Sequence, residues 1–388
     1  MDFSSTVRSR EPSATLQLTA RAKELQKAGR DIVALSAGQP DFPSPRAAVE
    51  AAEKAMRGGM TGYTATPGIP ELREIVAAVT SRRRGLEWRA SNVVVSCGAK
   101  HSLANLLMAA VEKGDGVLLP SPYWVSYPEM VKLAGGRPVL PRSGSLLISA
   151  ADVREAASSG VKGVILNSPG NPTGLVAGPA HTRELAEAIA ETGVWCISDD
   201  IYEDLVYLDG PAPHILDYRP GLAERTAVVS GVSKTYSMTG WRIGWAVAPE
   251  TWTRMAARIQ EHTTSNPNSI AQYASLAVLS GAAEEERVAM LASFRARRDL
   301  MCDLLAAVPA LDFTKPDGAF YVFPRVLSPM GADSSALSMR LLDEFGLAVI
   351  PGSAFGAEGY LRLSFAASER DIREGAARLR ACFEKGSA

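Results

Sequence analysis

The stretch Asn92-Val-Val-Val-Ser-Cys-Gly-Ala-Lys-His-Ser-Leu-Ala-Asn-Leu-Leu-Met-Ala-Ala-Val-Glu-Lys-Gly-Asp-Gly-Val-Leu-Leu119 decides the fold. Val93–Ser96 is a short apolar run of strand length, Cys97–Lys100 is a turn built on Gly98, Ser102–Glu112 has helical spacing, and Gly116–Leu119 is a second apolar run. Strand, glycine turn, helix, strand is a βαβ unit. The same alternation continues through Gly163–Asn167, a helix over Ala180–Thr192, Val194–Ser198, Ala227–Val229 and Arg242–Val247. Short continuous apolar strands alternating with helices point to the α/β class, with a mainly parallel, doubly wound sheet covered on both faces. This large domain is placed at residues 46–280.

Around it, the chain reads as a smaller α+β domain assembled from two pieces, residues 16–45 and 281–388, with residues 1–15 as an N-terminal arm. The first piece carries a helix from Leu16 to Gly29, the strand Ile32–Leu35 and a proline-stiffened loop, Ser36-Ala-Gly-Gln-Pro-Asp-Phe-Pro-Ser-Pro45. The second carries a long helix over Ala283–Ala307, the apolar runs Gly318–Phe323, Leu347–Ile350 and Tyr360–Phe365, a helix over Ser334–Phe345 and a closing helix from Ser368. Helices are also expected over Arg46–Met56 and Pro70–Arg84. The triplet Arg82-Arg83-Arg84 reads as a solvated helix end, where cations suit the dipole.

The 388 residues are 46% apolar and 21% charged, ample for a large core. A net charge of −1, from 41 basic and 42 acidic residues, argues against a nucleic-acid or anionic-membrane partner. Cys97, Cys196, Cys302 and Cys382 are far apart, and the four histidines are equally scattered, so neither a metal site nor a disulfide framework is expected. No leader-like stretch or membrane-length apolar run stands out, and a reducing cytoplasm is the expected compartment.

A doubly wound sheet binds ligands beyond the carboxyl ends of its strands. Chemistry therefore belongs in the segments that leave those ends. After Val93–Ser96 come Gly98-Ala99-Lys100 at a helix start, a ready phosphate seat, although many such turns bind nothing. After Gly163–Leu166 comes Asn167-Ser-Pro-Gly-Asn-Pro-Thr-Gly174, which presents Asn171 or is simply a turn. After Val194–Ser198 come Asp199 and Asp200, either a polar loop end or a buried charge in need of a cation. After Thr226–Ser230 comes Lys234, placed where the strand gives way to a loop, with Arg242 eight residues on. A partly desolvated lysine is poised to attack a carbonyl, and an arginine fork suits a phosphate. Each is an ordinary surface residue if read alone.

Taken together, GQPDF (38–42), YTATPG (63–68), GAKHSL (98–103), SPYWVSYPE (121–129), SPGNPTG (168–174), SDDIYE (198–203), GVSKTYSMTGWRIGWA (231–246), SNPNSIAQ (265–272), GAFYVFP (318–324) and YLRLSFA (360–366) closely resemble the class I aminotransferases. These are fold-type I pyridoxal 5'-phosphate enzymes, and the bacterial aspartate aminotransferases are the most similar group. The match runs in order from about residue 13 to 380. The resemblance implies that Lys234 carries the cofactor aldehyde and shuttles the substrate proton, while Asp199 pairs with the ring nitrogen. By the same resemblance Asn171 and Tyr202 contact the ring oxygen, and Trp124 stacks on the ring. Gly98, Ala99, Lys100 and Arg242 would hold the phosphate, with Tyr63 reaching in from a second subunit of a homodimer. Arg362 would clamp the substrate carboxylate, helped by the Gly38 backbone and Asn171. In the subgroup that handles dicarboxylates without a partner's arginine, a lysine of the glycine turn and an N-terminal threonine meet the distal carboxylate; Lys100 and Thr15 match. That pair implies L-aspartate as donor and 2-oxoglutarate as acceptor, with prephenate as a further substrate.

There are departures. Asp200 stands where many relatives have Glu, and Gly231 stands where several have a phosphate-binding serine, leaving Ser230 or Ser233 to take that part. Other reactions on the same scaffold stay open: an aromatic or other amino-acid transaminase, a lyase, a cyclase or an oxidase. A ligand-sensing transcriptional regulator would need a DNA-binding module, and a nicotinamide dehydrogenase would need a Gly-x-Gly-x-x-Gly after a strand, which is not present.

Overall fold

The computed structural model describes residues 14–386. The arm expected over residues 1–15 falls almost entirely outside them. In chain order the first part contains α1 (Ala14–Lys27), β1 (Val33–Ala34), α2 (Arg46–Arg57), α3 (Pro70–Arg84), β2 (Val93–Ser96), α4 (Ala99–Ala110), β3 (Gly116–Leu118), α5 (Ser126–Leu133), β4 (Arg137–Val139), α6 (Ala150–Ser158), β5 (Val161–Leu166), α7 (Pro179–Thr192), β6 (Trp195–Asp199), α8 (Ile215–Tyr218), β7 (Thr226–Gly231), α9 (Val232–Thr235) and β8 (Gly244–Val247). It continues with α10 (Glu250–Thr263), α11 (Ser269–Ala277), α12 (Glu284–Ala306), the short strands β9 (Leu311–Asp312), β10 (Tyr321–Val322) and β11 (Arg325–Val326), α13 (Ser334–Phe345), β12 (Leu347–Ala348), β13 (Ile350–Pro351), β14 (Leu361–Ser364) and α14 (Glu369–Gly386).

β2 to β8 form one seven-stranded sheet in the order β2-β8-β7-β6-β5-β3-β4. It is mainly parallel: β8 alone runs against its neighbours β2 and β7, and the other six strands share one direction. The reason is local, since a parallel return needs a crossover long enough to traverse the sheet. The connection after β7 is used up by α9 and a 3-10 turn over Thr239–Trp241, so the chain re-enters from the end it left. The strands read from Asn92 to Leu119 as one βαβ unit are not neighbours. Four strands lie between β2 and β3, because an apolar run specifies burial on both faces but not which strand lies beside it.

Both faces are covered. Leu103, Leu106 and Leu107 of α4 pack with Val94, Ile165, Ile197 and Val229 on one face. On the other, Leu185 and Ile189 of α7 meet Val164, Cys196 and Val228, while Leu72 and Val76 of α3 and Ala271 and Ala274 of α11 meet Val93, Val95 and Val247. A separate core joins α12, α14 and the antiparallel β10-β14-β13 sheet through Phe294, Met301, Phe320, Leu363, Phe365 and Leu379. β1 enters this part by pairing in parallel with β12, which draws the chain's beginning onto its end.

Candidate active site

The register of the large sheet brings four chain segments to one end. Ser96 and Gly231, the last residues of β2 and β7, both lie opposite Gly244, the first residue of β8, and Asp199 closes β6 opposite Val229. Gly98–Lys100, Asn171, Asp199, Lys234 and Arg242 therefore emerge on the same side. Between that edge and the small sheet lies a cavity of about 570 Å³, lined among others by Gly38, Ala99, Lys100, Trp124, Asn171, Asp199, Tyr202, Lys234, Arg242 and Arg362. The residues proposed from separate motifs meet in one place.

Lys234 sits on α9 rather than in the expected loop, and its Nζ donates to the Gly38 carbonyl at 2.7 Å. Burial, reinforced by the Arg242 and Arg362 charges, lowers its ammonium to about 8. About a tenth of the amine is thus free of its proton at pH 7, far more than for an ordinary lysine. Asp199 is buried; it accepts from the Tyr127 hydroxyl at 2.6 Å and from the Ile201 N–H at 3.3 Å, and burial raises its carboxyl to about 6. No cation among the described residues pairs with it.

Arg362 is buried on β14, not an exposed strand arginine. Nη1 donates to Asn171 Oδ1 and Nη2 to the Ser36 carbonyl, both at 3.0 Å. Its guanidinium lies 4.4 Å from the Tyr321 ring centre and 5.0 Å from that of Phe355, and its Nε is buried with no partner. Tyr202 and Tyr321 join hydroxyls at 3.0 Å beside it. Tyr321 and Tyr127 are among the cavity residues that the sequence reading missed. Both lie inside motifs it used, but a tyrosine in an apolar run carries no local mark of function.

At the other end of the cavity, Gly98 caps α4 with φ +92°, and a Cβ there would lie 2.5 Å from Arg242 Nη2. Arg242 donates to the Thr239 carbonyl at 2.9 Å, which keeps its fork over the α4 N-terminus. Of the two serines beside Gly231, Ser233 lines the cavity, whereas Ser230 turns away, donating to the Asp200 carbonyl at 3.4 Å. Gly231 has no room for a side chain, since a Cβ would meet the Ile243 carbonyl at 2.9 Å. Lys100 Nζ lies 4.8 Å from the Trp124 ring centre, and burial together with Arg242 lowers its ammonium. Tyr63 is not in this cavity but stands 93% exposed on the surface. Thr15 falls in α1, with its side chain outside the described residues.

The tandem acids and the arginine triplet require a correction. Strand alternation sends Asp199 into the cavity and Asp200 the other way, where it is buried rather than part of a polar loop end. There Arg84 Nη2 meets Asp200 at 2.6 Å and Glu203 at 2.8 Å, and Arg83 meets Glu203 at 2.6 Å and Asp204 at 2.8 Å. Two of the three arginines read as a solvated helix end are thus anchors for the segment after β6. The carboxylates that draw them inward are more than a hundred residues away in sequence.

A lysine amine, a buried carboxylate and an arginine fork at the carboxyl end of a doubly wound sheet define a class, and the chain belongs to the family "Aminotransferase class I and II", which matches residues 30–379. It is 41% identical over 382 residues to the probable aspartate/prephenate aminotransferase of Aquifex aeolicus, covering 97% of each chain. It is 42% identical to the aspartate aminotransferase of Geobacillus stearothermophilus, covering 95% of each. The fold superposes on the Thermus thermophilus aspartate aminotransferase solved with maleate, with a TM-score of 0.93 at 38% identity, covering 98% of this chain and 100% of that one.

Enzymes of this family depend on pyridoxal 5'-phosphate. The residues here fit that group. Asp199 is a buried carboxylate without a cation, Lys234 is an amine with a lowered pKa, and the Gly98 turn is an anion seat that a single Cβ would fill.

Proposed function

We propose that the protein is a cytoplasmic, homodimeric transaminase that moves the amino group of L-aspartate to 2-oxoglutarate, giving oxaloacetate and L-glutamate. The observation that carries this reading is the joint placement of Lys234, Asp199 and Arg362 around one cavity, with Lys100 as a further cation on the Trp124 face. The names of the Aquifex aeolicus and Geobacillus stearothermophilus relatives support aspartate as the donor. Four unbonded cysteines suit a reducing compartment. The cavity lies between the seven-stranded sheet and the β10-β14-β13 sheet, which supports the division into a large domain over residues 46–280 and a small one from 16–45 and 281–388.

Bound pyridoxal phosphate supplies an aldehyde that links to amino groups and a ring that takes up the electrons released when the substrate Cα loses its proton. Lys234 would hold that aldehyde in the resting enzyme, and its Nζ, once freed by the substrate amine, would take the proton from the substrate Cα and deliver it to the former aldehyde carbon. Asp199, kept dry and oriented by Tyr127, would pair with the ring nitrogen and keep a proton on it. Asn171 and Tyr202 would hold the ring oxygen, Trp124 would stack on the ring, and Ser233, Arg242, the α4 N-terminus and a partner's tyrosine would hold the phosphate. Arg362, which lines the cavity, would receive the α-carboxylate with its guanidinium, beside Asn171. Lys100 and Thr15 receive the distal carboxylate.

Aspartate added alone to purified holoenzyme is expected to release about one equivalent of oxaloacetate per site, with 2-oxoglutarate completing the cycle. No oxaloacetate, alongside a brisk response to phenylalanine or tyrosine, would overturn the donor assignment. Prephenate belongs in the same panel as an acceptor, because four of the similar bacterial enzymes carry aspartate/prephenate in their names.

A further inference from the structure

Two buried glutamines lie outside the chemistry described so far. Gln260 in α10 and Gln272 in α11 are both 0% exposed. A primary amide in a core costs stability unless all its polar atoms are claimed. Gln260 Nε2 donates to the carbonyls of Thr66 (2.7 Å) and Val95 (2.8 Å), and its Oε1 accepts from Asn105 Nδ2 at 3.2 Å. Gln272 Nε2 donates to Thr64 Oγ1 (3.1 Å) and the Pro267 carbonyl (3.0 Å), and its Oε1 accepts from the Ile69 N–H at 2.8 Å. The Val95 N–H adds a bond to the Pro67 carbonyl at 2.9 Å.

The run from Thr64 to Ile69 is therefore gripped from α10, α11 and β2 at four of its six residues. Directly ahead of it stands Tyr63, nearly bare of protein contact at 93% exposure. Surface loops are ordinarily mobile, and a phenol carried on one loses much of any grip it offers to the cost of ordering it. Here the loop is fixed in advance while the side chain is left pointing outward. Two core positions that could hold leucines hold amides, and three of their six bonds go to the loop at the base of that tyrosine.

We infer that Gln272, backed by Gln260, is a positioning residue that pre-orders Tyr63 for the phosphate of the cofactor in a second subunit. The inference rests on the reading of Tyr63 as a residue shared across a homodimer. It ties cofactor affinity to a hydrogen bond made in the core of one subunit and felt in the cavity of the other.

The test is a double-mutant cycle on pyridoxal phosphate binding to apoenzyme, with dimer content checked by sedimentation. Tyr63→Phe and Gln272→Met are each expected to weaken binding about tenfold, the scale of one hydrogen bond to a charged acceptor. In the Tyr63→Phe background, Gln272→Met adds nothing further. Pyridoxal, which lacks the phosphate, binds all of these proteins with unchanged affinity. Losses that multiply in the double variant, or an equal loss for pyridoxal, overturn the inference by making Gln272 merely structural. If Tyr63→Phe alone leaves affinity unchanged, it is the shared-site reading that fails. Should Gln272→Met not fold, Thr64→Val removes only the hydroxyl that Gln272 grips: a loss absent from the Tyr63→Phe background supports the inference, and one that multiplies there overturns it.

Discussion

Asp199 and Lys234 face each other across the cavity with opposite shifts, and both shifts favour the uncharged form in the protein without cofactor. Asp199 titrates at about 6 in the fold against 3.8 for a free carboxyl, so its preference for the neutral acid stabilises the apo fold below the lower value and is lost as pH rises through about 6. At pH 7 its buried charge costs the apoprotein at most about 3 kcal/mol. Asp199→Asn is therefore expected to raise the melting temperature of the apoenzyme at pH 7 by a few degrees, with the advantage shrinking towards pH 5, while transamination falls by about a thousandfold or more. An Asn variant whose apo form melts lower than wild type at pH 7 would contradict the assignment. Under the proposed function Lys100 would be the residue that reads the distal carboxylate. Lys100→Ala should raise KM for aspartate about tenfold or more with a smaller effect on an aromatic donor, and equal KM changes for the two would remove it from the distal-carboxylate role. Sequence made Lys234, Asp199 and Arg362 legible because each sits in a distinctive motif at a strand end or on a strand. Tyr127 and Tyr321 were hidden because their roles consist only of what they touch.

The element that organises the site is the connection from β7 to β8, which carries both Lys234 and Arg242 and turns the chain back at the ligand end of the sheet. Its closure depends on Gly244, where a Cβ would lie 2.1 Å from the Ala99 amide nitrogen and 2.7 Å from the Ala99 Cα. Those are backbone atoms of the α4 N-terminus and cannot swing aside. Gly244→Ala should accordingly destabilise the protein by about 2–4 kcal/mol and weaken pyridoxal phosphate binding at least tenfold, measured by denaturant unfolding and cofactor titration. A variant with native stability and affinity would show that α4 is not held against β8 as described. Most helices and strands were readable from period and turn residues, including α3 and α13 at both ends. The antiparallel sense of β8 and the separation of β2 from β3 were not, because pairing is set by which apolar surfaces find each other and not by the pattern within a strand.

For the whole molecule the strongest expectation is that each active site belongs to two chains. Tyr63 does not line the cavity of its own chain and sits on a segment that also exposes Met56 and Met60. Homodimers of Tyr63→Phe and of Lys234→Ala are each expected to be impaired, whereas hybrids formed by mixing and reassociation carry one site with Lys234 and a partner's intact Tyr63. That site should recover wild-type affinity for the cofactor, and a mixture no better than the average of its parents would mean that sites are not shared. The sequence by itself determined the α/β class, the order of the elements and the residues able to anchor, ionise and bind, because helix and strand periods, turn glycines and reactive side chains are properties of short segments. Only the tertiary structure decided that Asp199 faces the cavity while Asp200 takes Arg84, that Ser233 and not Ser230 reaches the site, and that two glutamines clasp the Tyr63 loop. Those outcomes depend on strand pairing and on partners as much as two hundred residues away, whose burial fixes which polar groups must find each other and which are left free for a ligand.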